Sequence, residues 1–205
     1  PTAPEFLGLV HREPVGGVAA IIPWNFPLMI GAWKLGPALA AGNSVVLKPS
    51  ETACLTLIRM AELALEAGLP PGVLNVVTGE GRVVGEALST SMDVDVSAFT
   101  GAGGTGRKLM MAAATSNMKR VYLELGGKSA NVVFADAPDL AEAAAVSAAG
   151  IFRNSGQVCV AGSRLLVQHV IHDVFVDALA QAAAQMRVGD PLDLGTQAGA
   201  INNAT

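Results

Sequence analysis

Three side chains stand in settings suited to covalent chemistry. Cys159 sits between two valines in the glycine-bounded segment Gly156-Gln157-Val158-Cys159-Val160-Ala161-Gly162. A thiolate there would be a nucleophile, although a buried, unreactive thiol is the commoner fate of an isolated cysteine. Glu124 lies in Leu123-Glu124-Leu125-Gly126-Gly127-Lys128, an acid between apolar residues at the end of a strand pattern. A carboxylate so placed is expected to be partly desolvated, which suits a general base. The alternative is an acid that reaches solvent at the sheet margin. Asn25 is held in Pro23-Trp24-Asn25-Phe26-Pro27, where two prolines fix the backbone. Such an amide can be aimed at a developing oxyanion, or Asn25 can cap the next helix with Trp24 as packing.

Two further motifs suit binding. In Gly101-Ala102-Gly103-Gly104-Thr105-Gly106, the residues Gly101, Gly103 and Gly106 fit G-x-G-x-x-G between a predicted strand and a predicted helix. Such glycines let the backbone approach a pyrophosphate at a helix N-terminus, while an ordinary glycine-rich turn fits the same residues. Glu124 follows Gly106 by 18 residues, near where a Rossmann unit keeps its ribose-binding acid. On that reading it binds cofactor and does no chemistry. Lys48-Pro49-Ser50-Glu51 follows another strand pattern. Lys48 and Glu51 there could hydrogen-bond ribose hydroxyls, or the segment could be a capping box with a surface lysine. Cys54 falls inside a helix pattern among Leu and Ile and reads as core. His11, His169 and His172 lack ligand or triad spacing and read as surface residues.

The elements that must position these residues alternate. Strands are predicted over 15–22, 44–47, 73–78, 94–100, 120–125, 130–134 and 164–169. Helices are predicted over 27–41, 52–67 with Ser50 as a cap, 83–89, 106–115, 140–152 and 173–186. This alternation implies βαβ units and a mostly parallel, Rossmann-like sheet of the α/β class, with its ligand site at the C-terminal strand ends. No internal repeat or low-complexity segment is present.

Composition narrows the function classes. Of 205 residues, 51% are hydrophobic and only 15% charged, against about 25% in an average domain. Disorder is excluded on both counts. The net charge of −4 with 13 Lys+Arg spread along the chain opposes a nucleic-acid footprint or a polybasic membrane surface. No apolar run approaches the ~18 residues of a membrane span, and no signal peptide is visible. Two cysteines make neither a disulfide framework nor a metal cluster, which fits a reducing, cytoplasmic setting. The chain starts at Pro1, as an internal piece of a longer protein would.

In their order, these motifs resemble the aldehyde dehydrogenase superfamily. The carriers are Pro23-Trp24-Asn25-Phe26-Pro27, Lys48-Pro49-Ser50-Glu51, Phe99-Thr100-Gly101, the Glu124 segment and Gly156-Gln157-Val158-Cys159. The last two look like the family's glutamate and cysteine signatures. Trp33-Lys34-Leu35-Gly36-Pro37-Ala38-Leu39-Ala40-Ala41-Gly42-Asn43 is also family-like. The likeness spans nearly the whole chain and covers the middle of the family's length.

The resemblance implies oxidation of an aldehyde to a carboxylic acid with NAD or NADP, through a cysteine thiohemiacetal and thioester. It implies Cys159 as nucleophile, Asn25 with the Cys159 backbone N–H as oxyanion hole, Glu124 as the base for hydrolysis and Lys34 as a proton relay near it. Lys48 and Glu51 would contact the adenosine ribose, and Trp24, Gly81, Gly85, Gly101, Ala102 and Leu125 would line the cofactor cleft. Glu51 would repel a 2′-phosphate, which favours NAD. Residues 1–13 would be part of an oligomerisation arm, 14–125 an incomplete cofactor domain and 126–205 the start of a catalytic domain. The whole protein is expected to be a homodimer or homotetramer. Ala102 stands where the family usually has a phosphate-holding Ser, so phosphate contacts must come from backbone N–H groups. The competing readings are a non-catalytic relative with a structural or binding role, and an ordinary Rossmann reductase with Glu124 on the ribose.

Overall fold

The computed structural model describes residue 3 and residues 5–203. Its described residues form two compact units, one ending at Glu124 and one starting at Leu125. In the first, strands β1 (Gly17–Ile21), β2 (Ser44–Lys48), β3 (Leu74–Val76), β4 (Val96–Gly101) and β5 (Arg120–Leu125) build one sheet in the order β3-β2-β1-β4-β5. The β1–β2, β1–β4 and β2–β3 pairs are parallel. Helices α1 (Pro27–Ala40), α2 (Leu55–Glu66), α3 (Glu86–Thr90) and α4 (Gly103–Ala114) connect the strands.

Both faces of the central strands are covered, as parallel sheets require. Val18, Ala20, Ile22, Val45, Leu47 and Val96 pack with Ile30 and Leu35 of α1 and Leu57 of α2. On the other face Ile21 and Phe99 meet Leu109 of α4, with Val121 and Leu123 beside them. Register aligns the strand ends: Ile21 stands opposite Lys48 on one side and Phe99 on the other.

The α1–α2 contact is close enough to test. A Cβ added at Gly31 would lie 2.5 Å from Leu57 Cδ2, and Leu57 is fully buried. Gly31→Ala is expected to cost about 1–3 kcal/mol by overpacking. Leu57→Ala is expected to cost about 2–5 kcal/mol by leaving a cavity. Urea unfolding of the double variant should show a loss smaller than the sum. Strict additivity would mean that this contact is not the cause.

Three expectations are corrected. Helix α2 starts at Leu55 with Cys54 at its N-cap, three residues later than expected. Ser50 does not cap it, because its Oγ lies against Thr52 Oγ1 at 3.3 Å. Helix α4 starts at Gly103, so the glycine run forms its first turn and not a loop before it. The short helix expected over 83–89 is split into a wide π-type turn, Gly81–Gly85, followed by α3. Of residues 1–13, residues 1, 2 and 4 lie outside the described residues, and residues 6–13 form no helix or strand.

The second unit holds the parallel pair β6 (Ala130–Val133) and β7 (Arg164–Val167) with helices α5 (Leu140–Phe152) and α6 (His172–Ala184). Val133, Ala144 and Phe175 form its core. Asp139 caps α5 through bonds from the Ala141 and Glu142 N–H groups at 2.8 and 3.0 Å.

Candidate active site

Because the strand ends are in register, the segments that follow β1, β2 and β4 meet around one cavity of about 790 Å³. It lies where the strand order reverses between β1 and β4, the position at which open α/β sheets bind ligands. Trp24, Lys48, Glu51, Gly81, Gly85, Gly101 and Ala102 all line it. Seven of the eight residues expected at a cofactor cleft are thus brought together. The eighth, Leu125, ends β5 and is not among the lining residues.

Lys48 is only 3% exposed, which excludes the surface-lysine alternative. Its ammonium donates to the Pro49 carbonyl at 3.0 Å and lies 3.4 Å from Glu51 Oε1. The same carboxylate oxygen accepts the Gly81 N–H, tying the end of β2 to the π-type turn. Partial burial works to raise the Glu51 pKa. Hydrogen bonds from its own backbone N–H and that of Gly81, with the Lys48 charge, outweigh burial and hold it below the usual 4.5.

Gly101 is required by packing. A Cβ there would lie 2.5 Å from the buried Phe99 ring. The next residue, Ala102, is the N-cap of α4 and supplies no side-chain cap. The Thr105 and Gly106 N–H groups bond to the Ala102 carbonyl at 3.0 Å, so the amides of Gly103 and Gly104 head the helix. That end favours an anion. Thr100 also lines the cavity, with its hydroxyl buried in the wall and lacking a hydrogen-bond partner among the described residues. The residues present therefore fit a dinucleotide, and the volume lies within the range of small-molecule sites, about 300–1,000 Å³.

Arg82, Ser89, Thr100 and Lys108 also line the cavity, and the sequence reading assigned none of them a role. Thr100 was within reach, since it precedes Gly101 at the end of a strand. Arg82, Ser89 and Lys108 carry no motif and depend on how α3 and α4 are placed.

The four residues expected to be catalytic lie outside this lining. Asn25 is half-buried in the turn after β1. It does not cap α1, whose N-cap is Phe26 with Pro27 at the first turn. Lys34 is half-buried on α1. Burial lowers its pKa from the usual 10.5, and the nearby Glu124 carboxylate partly offsets that effect. Glu124 itself is exposed, which fits the reading of an acid that reaches solvent at the sheet margin and not that of a desolvated carboxylate. The reason is strand alternation: Glu124 shares the exposed face of β5 with Arg120 and Tyr122, while Val121 and Leu123 on the opposite face pack against the core. Cys159, in the second unit, is a half-buried free thiol in the turn closed by the bond from Ala161 N–H to the Val158 carbonyl at 3.2 Å. Asn154 and Ser155 precede it with left-handed φ of 52° and 55°. Such a conformation costs non-glycine residues roughly 1–2 kcal/mol each and is common beside functional sites.

The sheet order and the cavity at its reversal point define a Rossmann-like α/β fold. Residues 1–205 match the aldehyde dehydrogenase family. The NADP/NAD-dependent aldehyde dehydrogenase PuuC of Escherichia coli is 59% identical over 98% of this chain and 40% of its own length. The aldehyde dehydrogenase KauB of Pseudomonas aeruginosa superposes with a TM-score of 0.93 at 57% identity, over 95% of this chain and 39% of that one. An indole-3-acetaldehyde dehydrogenase solved with NAD+ superposes at 0.90 and 59% identity, over 91% of this chain and 38% of that one. The chain belongs to the aldehyde dehydrogenase family, and it spans about 40% of the length of these relatives.

Proposed function

We propose that this chain carries the cofactor cavity and the reactive cysteine of an NAD(P)-dependent aldehyde dehydrogenase, which oxidises an aldehyde to a carboxylic acid. The observation that carries the reading is the cavity in which the Lys48–Glu51–Gly81 cluster faces the uncapped start of α4. Glu51 and Lys48 hold the adenosine ribose hydroxyls. The amides heading α4 hold the pyrophosphate in place of the missing serine hydroxyl at Ala102. When bound, the cofactor accepts the hydride.

The Cys159 thiolate attacks the aldehyde carbonyl carbon and forms a thiohemiacetal. An ordinary thiol is only about 3% ionised at pH 7, so a base must take its proton. Glu124, acting directly or through water, is that base. The Asn25 amide and the Cys159 backbone N–H donate to the oxyanion as it develops. Loss of hydride from the carbon leaves a thioester on Cys159. Glu124 then takes a proton from water, which attacks the thioester; the acid departs and the thiolate is regenerated. Lys34 relays the proton from Glu124. The glutamate favours hydrolysis over acyl transfer to coenzyme A. Residues 14–125 act as the cofactor domain and residues 126–205 as the start of the catalytic domain. The whole protein is a cytoplasmic homodimer or homotetramer that uses residues 1–13 within its oligomerisation arm. No helix among the described residues is long and apolar enough to cross a membrane.

Cofactor choice tests the assignment of Glu51. NAD is expected to bind more tightly than NADP. Glu51→Gln should weaken NAD about tenfold, or ~1.4 kcal/mol, and narrow the gap to NADP, as read by titration calorimetry. The Glu51 pKa is lowered, so its carboxylate is ionised above 4.5 and is lost only as pH falls through the still lower folded value. NAD affinity should therefore be flat above about pH 5 as far as this group is concerned. A protein that prefers NADP would overturn the assignment.

A further inference from the structure

Lys119 lies outside the cavity lining, yet it is only 7% exposed. Its ammonium donates to the Ser89 carbonyl at 2.7 Å and to Ser116 Oγ at 3.0 Å. Among the described residues no carboxylate pairs with it. Burial lowers its pKa from the usual 10.5. Its ammonium is thus held by two neutral oxygens and not by a counter-charge among the described residues.

Its neighbours act on the same segment. Asn117 donates through Nδ2 to the Met92 and Val94 carbonyls at 3.1 and 2.9 Å, and its Oδ1 accepts the Lys119 N–H at 3.2 Å. Between them Met118 is held at a left-handed φ of 57°. A methionine tolerates that conformation only where its surroundings impose it. The turn after α4 therefore grips the end of α3 and the chain that leaves it. Both helices flank the cavity: Glu86, Ser89 and Thr90 line it from α3, and Thr105, Lys108 and Leu109 from α4.

The grip continues to the ribose cluster. Ser89 Oγ donates to the Gly85 carbonyl at 2.6 Å, which fastens α3 to the π-type turn. At the head of that turn, the Gly81 N–H is held by Glu51. Lys119, Ser89, Gly85, Gly81 and Glu51 thus form a continuous connection from the far side of α3 to the cavity carboxylate. We propose that Lys119, with Asn117, is a positioning residue for the dinucleotide: it fixes the separation of α3 and α4 and the placement of Gly81 against Glu51. This inference rests on the cofactor reading of the cavity.

The test compares the intact enzyme with Lys119→Met and, should that variant fold poorly, Asn117→Ser. Steady-state kinetics, NAD titration calorimetry and hydrogen exchange are measured on each. The expected result is a rise of about tenfold in both KM and Kd for NAD, with kcat and the aldehyde KM within twofold of the parent. Amides of residues 81–94 should exchange faster while those of β2 and α2 do not. A merely structural role would lower kcat through a smaller folded fraction and leave KM for NAD unchanged, and that pattern overturns the proposal. So does unchanged exchange over 81–94. If the unsubstituted enzyme binds no NAD, the cofactor reading itself fails, and this inference falls with it. If it binds NAD and both variants bind equally well, only the positioning role is lost.

Discussion

Cys159→Ala is expected to lower aldehyde oxidation by at least about 10⁴-fold, as loss of a covalent nucleophile generally does, while NAD binding stays close to that of the parent. The two readouts separate because Cys159 lies in the second unit and the cavity is lined entirely by residues of the first. Glu124→Gln divides the reaction further. If Glu124 acts mainly on the deacylating water, the variant still acylates and accumulates a thioester, seen as a mass increase on the Cys159 peptide. If Glu124 also takes the thiol proton, acylation itself slows. Raising the pH should then restore part of it, since the thiolate is the attacking form. On the ordinary Rossmann reading, Glu124→Gln would chiefly weaken NAD binding, and no cysteine would carry an acyl group. Intact-mass spectrometry of enzyme mixed with aldehyde and NAD decides between them. An active enzyme with unmodified Cys159 would defeat the covalent mechanism.

Asn25→Ala is expected to cost about 3–4 kcal/mol in transition-state stabilisation, or roughly 10²–10³ in kcat. KM for NAD should change little, because Asn25 is not among the residues that line the cavity. Single-turnover measurement of hydride transfer gives the number directly. A kcat within threefold of the parent would remove Asn25 from the oxyanion role.

Much of the fold was legible because its signals are local. The β-branched runs that became β1, β2 and β4 are bounded by proline, glycine or a capping motif. Gly42 ended α1 as expected, with φ of +82°. Asp139 heads α5, whose bounds match the expected 140–152. The failures were local choices settled by distant partners. Ser50 has the side chain of a cap, but its hydroxyl faces Thr52 and the helix waits until Leu55. The glycines at 103–106 have low helix propensity, yet packing of Gly106 and Leu109 draws them into α4.

By itself, the sequence determined the order of strands and helices, the family and the cluster of motifs at strand ends, since residue types and short spacings encode these directly. Only the tertiary structure decided which of those residues share a cavity. That depends on the register of Ile21 against Lys48 and Phe99, a pairing between segments more than 25 residues apart. It also decided the environments. Lys48 and Lys119 look alike in sequence to the exposed lysines but are buried, each held by a backbone carbonyl. Glu124 looks sheltered between leucines but is exposed, because it points to the face of β5 opposite the one that Leu123 packs against the core. Burial and hydrogen-bond partners are properties of chain segments brought together from far apart, and no short window of sequence contains them.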